Sequence, residues 1–291
     1  MPIRELGYLA IEATDIDAWG RFAQDVLGLS VAPGPEGGIR LKMDERDFRL
    51  EVVSGKSNRL VAGGWGVGSK EEFEAMREQL NKAGFEMQQG SAKQAQARMV
   101  QELFSVIDPE GARQEIFWGP IAAHSKFVSP MGVRFVTGDM GLGHIVVPAM
   151  NFEPTHAFWS KGMGFGLSDI LNLHLTPDTT QHIYFMHCNS RQHSIAIAQV
   201  PSPAACHHIM LEVASLDDVG MTLDRVREHN VPLVQTLGRH VNDEMVSFYV
   251  EAPGGIVFEI GCGGLVKQWE GHTVFETTRG SHWGHHWVPR Q

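Results

Sequence analysis

The feature that most limits how this chain can fold is that its two halves can be laid on each other. LGYLAIEATDIDAWGRFAQDVLGLSV from Leu6 aligns with LGHIVVPAMNFEPTHAFWSKGMGFGLSD from Leu142. In each copy a short alternating strand runs into a polar break, then an amphipathic helix, then a Leu-Gly or Met-Gly stop. A second pair follows, GSKEEFEAMREQLNKAGFEM from Gly68 and ASLDDVGMTLDRVREHNVPL from Ala214. SVIDPEGARQEIFWG from Ser105 then matches YVEAPGGIVFEIGCG from Tyr249, each a Pro- and Gly-containing turn before a strand that ends in Glu-Ile. Four landmarks in one order predict an α+β chain of four βαβββ modules, each of roughly 55–65 residues. They pair into two domains, 1–130 and 138–291. The break falls in the Pro- and Gly-containing stretch VSPMGVRFVTGD, from Val128 to Asp139.

Composition narrows the function classes. The formal net charge is -10, with no cluster of Lys and Arg, so neither nucleic acid nor an anionic membrane has a basic footprint to bind. No apolar run approaches the roughly 20 residues that cross a bilayer. The start, MPIRELGYLAIEATD, places acidic residues where a signal peptide needs an apolar stretch, so a cytoplasmic address is expected. Cys188, Cys206 and Cys262 are too few and too scattered for a disulfide framework. They are expected to be reduced. Histidine is the unusual count: 14 of the 15 lie from His144 onward, which puts the chemistry in the second half. His282, His285 and His286, in SHWGHHW, read as exposed and incidental.

His144 opens the strand GHIVV, His208 opens HHIMLEV, and Glu259 ends IVFEI. Side chains alternate along a strand, so His144 and Val146 share one face, and of His207 and His208 only one is expected to face a common site. Donors from three different strands suit a barrel-like mixed sheet curved around a cavity. Two neutral imidazoles and one carboxylate are a donor set for iron(II), with positions left open for a substrate and O2. The bland reading of each histidine is a hydrogen-bonded core residue. The repeat supplies a control, because Tyr8 stands where His144 stands, Ala62 where His208 stands, and only Glu115 keeps the identity of Glu259. A metal site therefore belongs to the second domain, and the first is a structural copy without one.

From Gly238 the chain reads GRHVNDEMVSFYVEAPGGIVFE. A glycine two residues before a histidine, then Phe248-Tyr249, Pro253, Gly255 and Glu259, fill every place of a known signature. The sequence resembles the type I extradiol ring-cleavage dioxygenases of the vicinal oxygen chelate superfamily, in particular the 2,3-dihydroxybiphenyl 1,2-dioxygenase group. The resemblance covers essentially the whole chain. It implies that His144, His208 and Glu259 bind Fe(II), although Mn(II) suits the same ligands. It also implies that His193, His240 and Tyr249 surround a bound catechol. Tyr249 and His240 would favour its anionic form, and His193 would act as general acid and base on the O2 side. Asn242 and Asp243 match a stretch beside this layer. One departure is that Gln192-His193 stands where relatives often carry His-His.

The resemblance points to a bicyclic or aryl-substituted catechol and O2 as substrates, in aromatic catabolism, and to a homo-oligomer. Val146 and Phe185 are the candidate pocket walls, with ordinary core as the alternative. Phe158, Trp159 and Met163 lie at helical spacing and are expected in the core. Two other functions compete. A glyoxalase- or epimerase-like metalloenzyme would commonly use a second carboxylate ligand, and a drug-sequestering protein would commonly lack the full triad.

Overall fold

A computed structural model describes residues 2–176 and 178–289. The first module runs β1 (Ile3–Ala13), α1 (Ile16–Arg21), β2 (Ser30–Pro33), β3 (Ile39–Lys42) and β4 (Leu50–Ser54). The second runs β5 (Arg59–Val67), α2 (Lys70–Lys82), β6 (Met87–Gln89), β7 (Val100–Ile107) and β8 (Arg113–Pro120), with a short α3 (Ala92–Ala97) before β7. The third comprises β9 (Gly143–Pro148), α4 (Phe152–Ala157), β10 (Gly166–Thr176), β11 (Thr179–His187) and β12 (Ile195–Ala198). The fourth comprises β13 (His208–Glu212), α5 (Leu216–Glu228), β14 (Leu233–His240), β15 (Val246–Glu251) and β16 (Val257–Cys262). Each is the βαβββ unit that the repeat predicts.

The helices start and stop where local chemistry dictates. Ser69 and Ser215 cap α2 and α5 by accepting from the backbone N–H of Glu72 and Asp218, each at 3.2 Å. Acidic residues fill both first turns and basic ones both last turns, which complements the helix dipole. The helical segments that begin with α1 and α4 pass through π-helical turns and stop at Gly28 and Gly164, both left-handed at φ +76° and +79°. No helix among the described residues is long and apolar enough to cross a membrane.

Each half is one mixed, curved sheet. The first has the order β2-β3-β4-β1-β5-β8-β7-β6. In the second, β10-β11-β12-β9-β13-β16-β15-β14 is flanked by two short strands, β17 (Phe275–Thr277) beside β10 and β18 (Ser281–Trp283) beside β14. Every module pairs its first strand with its last in parallel. The two modules of a half meet through antiparallel first strands. Only residues 278–280 separate β17 from β18, a reach of about 14 Å for extended chain. The second sheet is therefore curled until its two far edges nearly meet, and residues 275–283 clasp them.

Alternation along the strands sorts side chains into two environments. In β9, Ile145 and Val147 enter the main core, and in β12 Ile195 and Ile197 do the same. Val146, Ala196 and Ala198 turn the other way and join Leu171 and Phe185 in a separate apolar wall. The main core runs through both halves. Trp65 meets Trp159 and Phe165 edge-on at 5.2 Å, and Trp19 meets Phe258 at 5.9 Å, so the first helical segment of each half packs on the other half's sheet. Phe158, Trp159 and Met163 are fully buried there, as expected. All three cysteines are buried free thiols.

Candidate active site

The concave face of the second sheet encloses a cavity of about 370 Å³, within the range of small-ligand sites. β9, β13 and β16 are adjacent strands, with His144 and Glu259 both opposite Met210. This register brings the three expected donors together. His144 Nε2, His208 Nε2 and Glu259 Oε2 form a triangle with sides of 3.3 Å. Such spacing suits an ion that takes nitrogen and oxygen ligands at about 2.0–2.2 Å. Burial, opposed by Glu259, pushes His144 down to about 4 and keeps it neutral, as a ligand must be. Burial alone would raise the Glu259 pKa, but hydrogen bonds from His144, His208 and His240 outweigh it and hold the group well below the carboxylate range.

Two histidines flank the triangle. His193 stacks on His144 with ring centres 3.9 Å apart. The carboxylate of Asp169 accepts from the amide N–H of Gln192, so the Gln192 oxygen faces His193 and accepts from its Nδ1–H at 2.6 Å. That bond leaves His193 Nε2 with a free lone pair. Asp169 is itself held by the backbone N–H of Phe275 at 3.2 Å, from β17. Burial, then the neighbouring His144, pushes His193 well below its ordinary pKa.

His240 has the opposite electrostatics. Burial would lower its pKa, but Glu259, Asp243 and the Gly280 carbonyl outweigh this and raise it to about 9. The ring donates Nδ1–H to the Gly280 carbonyl at 3.1 Å. Its Nε2 lies 2.6 Å from Tyr249 Oη and 3.2 Å from Glu259 Oε1. Burial, then the charges of Glu259 and Asp243, raises Tyr249 well above the ordinary phenol range, so Tyr249 keeps its proton. Asp243 Oδ2 is 3.9 Å from His193 Nδ1. Asn242, Val146 and Phe185 line the cavity as well.

Two sequence readings need correction. His207 does not turn away, because it precedes the first residue of β13 and escapes the strand's alternation. It lines the cavity, and its Nδ1 lies 2.9 Å from His208 Nδ1. His285 is neither exposed nor incidental. It is half-buried in the cavity wall with Ser281 and Trp287, and its ring centre is 4.1 Å from that of His240. Burial, then the charge of His240, pushes it down to about 4. No counterpart in the repeat announces it, because the tail lies beyond the last module. Its only sequence signal is the glycine that precedes it.

Comparison with known proteins adds a further line of observation. Residues 141–260 match the family described as the Glyoxalase/Bleomycin resistance protein/Dioxygenase superfamily, and residues 6–55 match the dihydroxybiphenyl dioxygenase BphC D1 family. The chain is 39% identical to an iron-dependent extradiol dioxygenase of Rhodococcus jostii (strain RHA1), over 98% of this chain and 97% of the relative. It is 38% identical to a biphenyl-2,3-diol 1,2-dioxygenase of Paraburkholderia xenovorans (strain LB400), over 98% and 96%. The crystal structure of BphC, a halotolerant catechol dioxygenase, superposes with a TM-score of 0.92 at 34% identity, over 98% of this chain and 95% of that one.

Proposed function

The chain belongs to the extradiol dioxygenases of the vicinal oxygen chelate superfamily, and from that premise we propose that it opens a 2,3-dihydroxybiphenyl-type ring beside its two hydroxyls. Both atoms of O2 enter the product. The observation that carries the reading is the 3.3 Å triangle of His144, His208 and Glu259 opening into the cavity. Fe(II) fits this donor set, and when bound it supplies Lewis acidity and the path for electrons from ring to O2. Mn(II) fits the same donors.

The geometry of the remaining residues supports a role for each. His240 and the Tyr249 hydroxyl, 2.6 Å apart in the cavity lining, would hydrogen-bond a catechol oxygen and favour its anionic form. His193 donates Nδ1–H to Gln192, and so it presents Nε2 to the cavity to take and return a proton. Gln192 thus supplies the orienting acceptor at the position where relatives often carry a first histidine. Asn242 and Asp243 form a polar stretch beside His240 and His193. Val146, Leu171, Phe185 and Ala198 give the cavity an apolar wall that suits a second aryl ring.

The donor triangle holds a single carboxylate, which argues against a glyoxalase-like site. A sequestering protein would have no use for His193, His240 and Tyr249. The absence of a cluster of Lys and Arg argues against nucleic acid and an anionic membrane as partners and fits a cytoplasmic enzyme, and family resemblance supports a homo-oligomer. The test is anaerobic loading with Fe(II), followed by air-saturated 2,3-dihydroxybiphenyl, with plain catechol alongside. A yellow ring-opened product carrying both atoms of labelled O2, formed preferentially from the biphenyl, is expected. Yellowing with catechol alone would discard the substrate class. No colour from either, with iron bound, would overturn the assignment.

A further inference from the structure

The clasp that bridges the edges of the second sheet carries His285 over the cavity, and its seat is cut to admit it. A Cβ on Gly238 would meet the His285 backbone nitrogen at 2.5 Å and its ring at 2.6 Å. A Cβ on Gly284, which is left-handed at φ +72°, would meet the Leu237 carbonyl oxygen at 2.1 Å. The two backbones touch, and any larger residue at either position would hold them apart. The segment beyond continues along β14, with Thr236 N–H donating to the His286 carbonyl at 3.0 Å and Val288 N–H to that of Val234 at 2.9 Å.

Once seated, every polar atom of the His285 ring has a partner, and the directions are determined. Ser247 Oγ is 2.5 Å from Glu259 Oε1. An ionised carboxylate only accepts, so the serine gives its proton to Glu259. The serine is then free to accept, and His285 Nε2 lies 3.2 Å from Ser247 Oγ and 3.1 Å from the Ser247 carbonyl oxygen. With Nε2 carrying the hydrogen, Nδ1 accepts from the Ser281 hydroxyl at 2.7 Å. The chain Ser281, His285, Ser247, Glu259 therefore runs in one sense from the clasp to the metal-binding carboxylate. The centre of the same ring lies 4.1 Å from that of His240, with the planes at 33°, and 5.6 Å from that of Tyr249, edge to face.

We propose that His285 is a positioning residue for ring cleavage: seated on Gly238, it holds the Ser247 hydroxyl against Glu259 and packs its ring on that of His240. The signature glycine two residues before His240 is there to receive this ring. The inference rests on the reading of the site given above. It assigns a task to the clasp that the ligand triad alone does not require.

The test uses the full chain as His285→Phe, His285→Gln, Gly238→Ala and the double variant Gly238→Ala/His285→Phe. Two quantities are read: the Kd of the metal-free protein for Fe(II), measured anaerobically against a chromophoric chelator, and kcat and KM for 2,3-dihydroxybiphenyl. Phenylalanine keeps the ring and loses the Nε2–H, so the Fe(II) Kd should weaken by about 10–100-fold, and kcat should fall more than KM changes. Glutamine returns an N–H toward Ser247 and should restore metal affinity, although not the ring packing on His240. Gly238→Ala should reproduce the phenylalanine phenotype with the native histidine present, and the double variant should be no worse than either single one. Unchanged Fe(II) affinity and turnover in His285→Phe would overturn the proposal, as would simple addition of the two single losses. If Gly238→Ala does not fold, the Phe and Gln pair decides. A wild-type protein that binds Fe(II) but opens no ring would break the functional reading instead, and the metal titrations would still judge the positioning claim.

Discussion

The two halves place different chemistry on one backbone. Tyr8 and Glu115 both stand opposite Gly64, just as His144 and Glu259 both stand opposite Met210. Ala62 pairs with Ala10 as His208 pairs with Val146. In the first half the Tyr8 hydroxyl donates to Glu115 at 2.6 Å, and Arg98 and Arg113 donate to the same carboxylate at 2.8 and 2.9 Å. Arg98 also pairs with the buried Glu51. Tyr8, Phe48 and Phe117 close the remaining space, which shrinks to about 10 Å³ against about 370 Å³ in the second half. A buried carboxylate must be compensated by a cation. One half supplies the guanidiniums of Arg98 and Arg113, and the other has His240 beside Glu259 and leaves the place for a metal ion. What separates the closed half from the open one is the charge partners of one carboxylate and a few ring volumes, with the strand register unchanged.

That comparison can be broken in several ways. The largest effect is expected from His208→Ala or Glu259→Ala, each of which removes one of three donors. Iron content per chain and ring cleavage should both fall to background, and retained turnover would move the metal elsewhere. Next come the matched positions His193 and Phe48. His193→Ala should lower kcat by about 10²–10⁴-fold, whereas Phe48→Ala should cost about 3–5 kcal/mol of stability and leave turnover per folded molecule alone. A comparable loss of kcat in Phe48→Ala would mean that the first half contributes to chemistry.

Arg98→Met strips the cation from Glu115 and Glu51. A cost of about 3 kcal/mol is expected, the lower end for a broken buried pair, because Arg113 and Arg40 remain near those carboxylates. Urea unfolding would read it, with Fe(II) binding unaffected. The smallest effect is a difference in acid sensitivity of the metal-free protein. Burial is the first cause that pushes His144, His187, His207 and His285 down to about 4. An unfolded chain takes up those protons near pH 6.5. Between about 6.5 and 4 the unfolded state therefore binds more protons, and stability falls as pH falls. His240, raised to about 9, has the opposite sign. Its contribution is complete below about 6.5 and is lost only as pH rises through about 9. The first half contains one histidine, His124. Arg98 outweighs burial and holds Glu115 below the ordinary carboxylate range. Hydrogen exchange at falling pH should thus open β9–β16 before β1–β8, and simultaneous opening would show that the shared core overrides the histidines.

Much of this was legible in the chain because repeated strands keep their register. Aligning ELGYLAI with GLGHIVV, the segment from Gly68 with that from Ala214, and the two Glu-Ile strand ends is enough to place Tyr8, Ala62 and Glu115 at the positions equivalent to His144, His208 and Glu259. Periodicity could not supply the partners from outside the repeat unit. Arg98 follows the extra helix α3, to which no element of the fourth module corresponds, and it reaches across the sheet to Glu115 and Glu51. His285 arrives from a segment of three-residue strands and glycines with no amphipathic pattern. His207 misled because a period-2 argument holds only inside a strand, and β13 begins one residue later.

The clasp has one more consequence, which concerns neighbouring molecules. A sheet edge shows a row of unpaired N–H and C=O groups that invites a strand from another chain. The first sheet guards itself by brevity: its edge strands are β2, four residues ending in proline, and β6, three residues. The second sheet would end in β10, with eleven residues, and β14, with eight. The same tail pairs with part of each, β17 with Asp169–Leu171 of β10 and β18 with Arg239 and His240 of β14, and Trp287 meets Gln235 further along β14. The segment that brings His285 into the cavity wall therefore also occupies part of each long edge, which leaves less of it open to strands of other copies.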